Sequence, residues 1–229
     1  MPMSTPAKPT GRRKTAAPDT AAPAAIPAPA ARLAAFLARL RGDVYPEEPS
    51  PAHDEVTAKV YARFKAAHPL PAGATVLDVG CGQGLALRLF ARDGLVATGI
   101  ALGEDVAVCR AAGHDVREMD LHYLDFPDAS FDMVWCRHAI EHSIMPFFTL
   151  SEIFRVMKPG GVGYVEVPSP DTASGHENNP NHYSVLGHRM WLRLMQRSGF
   201  DQVVHFDVDF ELAIGPDRYW GFMLRRAAA

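Results

Sequence analysis

Leu33, Phe36, Leu37 and Leu40 fall at i, i+3, i+4 and i+7, with Gly42 following as a stop signal. This spacing predicts a short amphipathic helix. A second helix is expected from Ser50 as N-cap, with Pro51 at the first helical position and Asp54 and Glu55 in the first turn. It would turn Val56, Val60, Tyr61 and Phe64 inward and end before Pro69.

Beyond Pro69 the apolar pattern changes to short runs. TVLDV (75–79), LVATGI (95–100), DVREM (115–119), FDMVWC (131–136) and GVGYVEV (161–167) are strand candidates separated by helical segments. Phe147, Leu150, Ile153, Phe154 and Met157 mark one face of a helix that KPGG (158–161) ends. A last helix, from about Val185 to Arg197, is expected to bury Leu186, Met190, Trp191 and Leu194. Two final strands, QVVHFDV (202–208) and RYWGFML (218–224), have no helix between them. Strands alternating with helices predict an α/β, doubly wound, seven-stranded and mainly parallel sheet with an antiparallel edge hairpin. Ligands of such sheets sit at the carboxyl ends of the strands.

Composition adds an N-terminal tail. Residues 1–30 are mostly Ala and Pro punctuated by Lys8, Arg12, Arg13 and Lys14, with almost nothing large and apolar to bury, so they are expected to be disordered. Their prolines oppose the amphipathic helix an organellar targeting peptide needs. The expected division is therefore a tail (1–30), a helical cap (31–70) and a ligand-binding domain (71–229). The 229 residues are 48% hydrophobic and 21% charged, enough for one substantial core. A net charge of -3 argues against broad electrostatic capture of nucleic acid, leaving only a local basic patch, and suits a small acceptor. Three cysteines, Cys81, Cys109 and Cys136, without C-x-x-C spacing suggest neither a disulfide framework nor a thiolate metal site. With no apolar run of about 18 residues and no apolar leader, neither a membrane span nor a secretory signal is expected, and the reading is cytoplasmic.

The most informative stretch is VLDVGCGQG, which places Asp78, Gly80, Cys81, Gly82 and Gly84 where the first strand turns into a helix. Glycines there admit a ligand to the backbone, and the helix start offers N–H groups. Leu85 stands where a dinucleotide fingerprint needs its third glycine, so the spacing is off by one for a nicotinamide or flavin site. A carboxylate at Asp78 would repel a pyrophosphate and would favour an ammonium- or sulfonium-bearing ligand.

On these residues, together with DLHYLDF (120–126), PDASFDMV (127–134) and EIFRVMKPGG (152–161) in that order, the chain from about Ala72 to Arg225 resembles the class I S-adenosylmethionine-dependent methyltransferases, of the small-molecule type. The resemblance implies that the glycine loop holds the methionine portion of S-adenosylmethionine and that Asp120 and Leu121 flank its adenine. An ordinary loop cap is the alternative for Asp120. The sequence departs from that pattern at the end of the second strand, where Ala101 replaces the acidic residue that holds the ribose. Glu104 or Asp105 would substitute from the next turn, or backbone and water would serve.

HAIEH (138–142) matches H-x-x-E-H, a zinc-peptidase pattern in which two histidines bind metal and a glutamate activates water. That chemistry needs a stable helix, whereas the preceding residues are strand-like and Pro146 follows closely. No metal is therefore expected. Within the resemblance, Arg137 and His138 would sit near the sulfonium or the acceptor, and Glu141 and His142 would line the acceptor side or fix the loop. The polar run PSPDTASGHENNPNHYS (168–184) would form an acceptor lid from His176, Glu177, Asn178, Asn181, His182 and Tyr183, or else a solvated connector. The implied reaction is methyl transfer to an oxygen or nitrogen of a small acceptor, with His182, then His142, as the proton acceptor. A non-catalytic cofactor-binding or regulatory protein on the same fold is the main alternative, and a zinc hydrolase the weaker one.

Overall fold

The computed structural model describes residues 28–41 and 51–228. Most of the expected tail, Gly42 and the Ser50 cap lie outside the described residues. The chain divides into two units, Met1–Arg39 and Leu40–Ala229. The described part of the first is Ala28 and helix α1 (Pro29–Leu40) as far as Arg39; the helix opens four residues before the first apolar position, Leu33, because Pro29 suits a first helical position.

The second unit runs α2 (Pro51–Ala67), β1 (Thr75–Val79), α3 (Leu85–Arg92), β2 (Val96–Ala101), α4 (Glu104–Ala111), β3 (Asp115–Glu118), β4 (Phe131–Arg137), α5 (Pro146–Val156), β5 (Met157–Pro168), α6 (His188–Arg197), β6 (Gln202–Leu212) and β7 (Gly215–Arg225). One seven-stranded sheet has the order β3-β2-β1-β4-β5-β7-β6. Strands β1 to β5 are parallel, and β7 is antiparallel to both β5 and β6. The final hairpin thus inserts its second strand next to β5 and leaves β6 at the edge. Strand order reverses between β1 and β4, so the loops after these two strands flank the crevice where such sheets bind ligands.

Alternation along the strands sorts the core into two faces. Leu77, Val79, Val134, Cys136, Val165 and Val167 pack with Leu150, Ile153, Trp191 and Met195 of α5 and α6. On the other face Val76, Met133, Trp135 and Tyr164 pack with Val60, Tyr61 and Phe64 of α2, Leu87 and Phe90 of α3, and Val106 of α4. The Phe64 ring meets Trp135 and Tyr164 edge-on, with centroids 5.8 and 6.0 Å away. Helix α2 is accordingly a layer of the sheet's own core, and a boundary at residue 70 cuts through that packing.

Two local expectations change. KPGG does not separate α5 from β5: the strand starts at Met157, and the register shift between Phe131 and Met133 absorbs the glycines as a bulge. Met190 is 50% exposed, and Trp191 and Met195 are the buried residues of α6, which starts at His188, three residues later than its apolar pattern suggests. No helix among the described residues is long and apolar enough to cross a membrane.

Candidate active site

Asp78 sits near the carboxyl end of β1, in register with Gly99 of β2 and Trp135 of β4. It is buried, its Oδ2 has no hydrogen-bond partner, and burial pushes its pKa up to about 8, with the Arg137 charge opposing. An uncompensated buried carboxyl is costly, and a cationic ligand would relieve it.

The three glycines that follow all have positive φ, 73°, 49° and 82° for Gly80, Gly82 and Gly84, but they serve different ends. A Cβ on Gly80 would lie 2.4 Å from the Ala139 Cβ, and one on Gly84 would meet His114 Cδ2 at 3.2 Å and Cys109 Sγ at 3.3 Å. Only at Gly82 would it point into open space. The N–H groups of Gly80 and Cys81 both donate to the Ile100 carbonyl, at 3.0 and 2.9 Å. The sequence reading gave all four residues to the ligand; neighbouring side chains occupy the space a Cβ would take at Gly80 and Gly84, the Gly80 and Cys81 N–H groups are used by Ile100, and Gly82 faces open space.

The loop after β3 is self-capped. Asp120 Oδ1 accepts from the His122 N–H at 2.9 Å and from His122 Nδ1 at 2.6 Å, and the other ring nitrogen accepts from the Ile144 N–H at 3.1 Å. The buried His122, which the sequence reading passed over, thus ties this loop to the segment after β4. Its signal was the D-x-H spacing, too short to distinguish from chance. Burial works against ionisation of Asp120, but the His122 bonds outweigh it and lower its pKa. Leu121 is half-buried against the α5–α6 core. At the end of β2, Ala101 is buried, and Glu104 is exposed at the start of α4.

The segment after β4 is a network of buried charge. Arg137 Nη1 donates to Thr57 of α2 at 3.0 Å, and its Nε lies 2.6 Å from Glu166 Oε1, a close ion pair without hydrogen-bond alignment. Tyr164 donates its hydroxyl to Glu166 Oε2. His138 turns back at φ 50°, placing Nε2 3.0 Å from Glu166 Oε1 and Nδ1 3.4 Å from Glu141 Oε1. Burial and Arg137 press the His138 ring toward neutrality, yet the two carboxylates outweigh them and raise its pKa. Burial would raise Glu166, but Arg137 and His138 hold it below the usual carboxylate value. His138 thus faces two protein carboxylates, and Arg137 pairs with Thr57 and Glu166 while its Nη2 is buried without a hydrogen-bond partner. Ile140–His142 form a single 3-10 turn, so HAIEH lacks the helix a zinc-peptidase pair requires.

The polar loop after β5 docks on this turn. Ser184 donates its N–H to the Glu141 carbonyl at 2.9 Å and its hydroxyl to the Ser143 carbonyl at 2.6 Å. His142 Nδ1 donates to the Asn181 carbonyl, and His182 Nδ1 to the His176 carbonyl, both at 2.9 Å. The His142 and His182 rings meet edge-on at 4.8 Å. His176 is turned away toward Asp217, 3.0 Å from Nε2 to Oδ2, and Tyr183 is exposed. Glu141, His142 and His182 bring one ligand atom each within 4.8 Å of one another. Burial lowers the His182 pKa, which favours the neutral ring. With Nδ1 of both rings donating to carbonyls, Nε2 is in each the ring nitrogen left free of that contact.

Residues 77–165 match a family described as "Methyltransferase domain". Among curated relatives, the 27-O-demethylrifamycin SV methyltransferase of Amycolatopsis mediterranei is 34% identical over 140 residues, covering 55% of this chain and 52% of that protein. A ubiquinone biosynthesis O-methyltransferase of Pseudomonas paraeruginosa is 33% identical over 141 residues, covering 57% of each. The chain thus spans about half the length of the curated relatives it matches. Of solved structures, the [4+2]-cyclase SpnF aligns with a TM-score of 0.64 at 22% identity, covering 78% of this chain and 83% of that one. Phosphoethanolamine N-methyltransferase 2 of Haemonchus contortus, solved with S-adenosyl-L-methionine, aligns at 0.64 and 18% identity, covering 74% of this chain and 52% of that one. At these identities the two structures speak for the fold alone.

Proposed function

We propose that this chain, which belongs to the class I S-adenosylmethionine-dependent methyltransferase family, transfers the methyl of S-adenosylmethionine to an oxygen or nitrogen of a small acceptor. The observation that carries the reading is Asp78, a buried carboxyl with an unpartnered oxygen near the end of β1, four residues before Gly82 and its open Cβ position. That pair fits the ammonium of the methionine portion, which would supply the charge Asp78 lacks. Asp120 and Leu121 are assigned to the adenine side, with Asp120 already preorganised by His122. Ala101 offers no carboxylate to the ribose, and we assign that contact to Glu104 at the head of α4, beside Gly103, where a Cβ would meet nothing within 4 Å.

Bound S-adenosylmethionine supplies a methyl on a sulfonium, already a strong leaving group. What remains for the protein is alignment and proton removal. Arg137, His138, Glu141 and Glu166 form a fixed wall that holds the post-β4 turn in place. His182 and His142 present imidazole lone pairs beside that wall and are assigned as proton acceptors for a hydroxyl, with Asn181 and Tyr183 at the entrance. His176, held by Asp217, positions His182 by accepting its Nδ1–H through the backbone. The acceptor is taken to be a small molecule because relatives such as the 27-O-demethylrifamycin SV methyltransferase carry such names. A relative named sterol 24-C-methyltransferase shows that the match alone does not fix the methylated atom. Three free, buried cysteines suit a cytoplasmic setting. Calorimetry with S-adenosylhomocysteine tests the reading: micromolar binding is expected, and no binding by folded protein would refute it.

A further inference from the structure

The Glu141, His142 and His182 cluster has features that proton transfer alone does not need. Glu141 is 1% exposed, and its Oε2 has no hydrogen-bond partner although His138 and the Ser184 N–H satisfy the atoms around it. Each imidazole is oriented through Nδ1 by a backbone carbonyl, the arrangement that fixes a metal-binding histidine with its other nitrogen exposed as ligand. The rings are held from two separate segments, and Ser184 clamps those segments together by two hydrogen bonds.

We infer that Glu141, His142 and His182 form a binding site for a divalent first-row transition cation on the acceptor side of the site assigned to S-adenosylmethionine. The inference rests on the methyltransferase reading for its consequence, though not for the site itself. Two imidazoles and one carboxylate suit Zn²⁺, Co²⁺ or Mn²⁺ better than Mg²⁺ or Ca²⁺, which prefer oxygen. Bonds of about 2.1 Å put tetrahedral ligand atoms roughly 3.4 Å apart, so atoms within 4.8 Å close on a cation by side-chain shifts of about an ångström. Three protein ligands leave a position for the acceptor hydroxyl.

Coordination takes up the imidazole lone pairs and lowers the hydroxyl pKa instead. The proton then goes to water, the oxygen forms the new bond to the methyl carbon, and the carbon–sulfur bond breaks with its electron pair left on sulfur. His138 is an outer partner here: its bridge from Glu166 to Glu141 holds the carboxylate in place. This set differs from the zinc-peptidase reading of HAIEH, which requires His138 as a ligand and Glu141 as a base.

The test uses the full chain, stripped with chelator and titrated with Zn²⁺ by calorimetry and with Co²⁺ by visible absorption, each with and without S-adenosylhomocysteine. One Zn²⁺ per chain and a Co²⁺ d–d band are expected. His182→Ala should weaken both at least 100-fold, and Glu141→Gln should do the same, with S-adenosylhomocysteine affinity kept within threefold. If the stripped protein binds S-adenosylhomocysteine but neither metal, the cation site is refuted and the methyltransferase reading stands. Metal binding unchanged in His182→Ala also refutes it. Metal binding without S-adenosylhomocysteine binding supports the cation site and refutes the cofactor reading.

Discussion

The α-carbon of Gly80 is packed so closely against Ala139 that a Cβ on it would lie 2.4 Å from the Ala139 Cβ. The glycine loop after β1 and the turn after β4 are thereby one packed unit. Gly80→Ala should therefore destabilise the protein, by about 1–3 kcal/mol for overpacking and about 1 kcal/mol for the positive φ. Gly82→Val meets open space and carries only the positive-φ cost of about 1–2 kcal/mol, so it should leave a folded protein, less destabilised than Gly80→Ala, that no longer binds S-adenosylhomocysteine. Thermal denaturation and calorimetry on both variants separate the two effects, and equal loss of melting temperature would contradict the assignment.

Asp78 predicts a pH dependence. Its folded pKa is raised to about 8 by burial, so in the ligand-free protein it is neutral at pH 6 and ionises only as pH rises through 8. A cationic ligand binds the ionised form, so affinity should rise about tenfold per pH unit from 6 toward 8, up to the point where the ligand's own amine loses its proton. Stability has the opposite sign: a raised folded pKa gives a contribution fully present below the ordinary carboxylate range and lost as pH rises through 8. Asp78→Asn should bind weakly with a flat pH profile, and its melting temperature should exceed the wild type's increasingly as pH rises from 5 to 8. A wild-type affinity independent of pH across that range would remove Asp78 from the ligand contact.

Helix α2 is tested by Phe64→Ala. Phe64 is 1% exposed and its ring meets both Trp135 and Tyr164. Removing it should cost about 3–5 kcal/mol. A chain starting at Pro69 should not fold, because Trp135 and Tyr164 would lose their cover. A stable, cooperative unfolding transition in that truncated chain would make α2 dispensable.

Much of this architecture is written locally in the sequence. Short apolar runs bounded by glycine gave the strands, and Asp78 with Gly82 marked the crevice, because strand periodicity and turn chemistry depend on near neighbours. What the sequence did not reveal depends on distant partners. Nothing local tells Gly80 and Gly84, which make room for Ala139 and Cys109, from Gly82, which faces outward. The apolar count in α2 suggested an amphipathic helix without saying that its aromatics complete the sheet's core. The pattern H-x-x-E-H drew attention to His138 and His142, while the structure instead brings Glu141 and His142 to His182 across the sheet edge. That meeting needs the loop after β5 to fold back, which Ser184 secures and no periodicity announces.

His182 and His142 should divide binding from turnover. On a hydroxyl acceptor, His182→Ala should lower kcat about 100-fold with S-adenosylmethionine affinity unchanged. His142→Ala should lower it comparably, because the two rings share one cluster. Single-turnover kinetics at saturating S-adenosylmethionine reads this directly, and wild-type rates in folded His182→Ala protein would exclude it from the reaction.

The most direct test follows the methyl group itself. The full chain is incubated with S-adenosylmethionine labelled in its methyl and a panel of small phenols, alcohols and amines, with label in product and S-adenosylhomocysteine measured together. The account predicts label on an oxygen or nitrogen of at least one acceptor, with one S-adenosylhomocysteine formed per methyl transferred and the signal lost in Gly82→Val. Tight S-adenosylhomocysteine binding with no label transferred to any member of the panel would contradict it and leave a cofactor-binding protein on a methyltransferase fold.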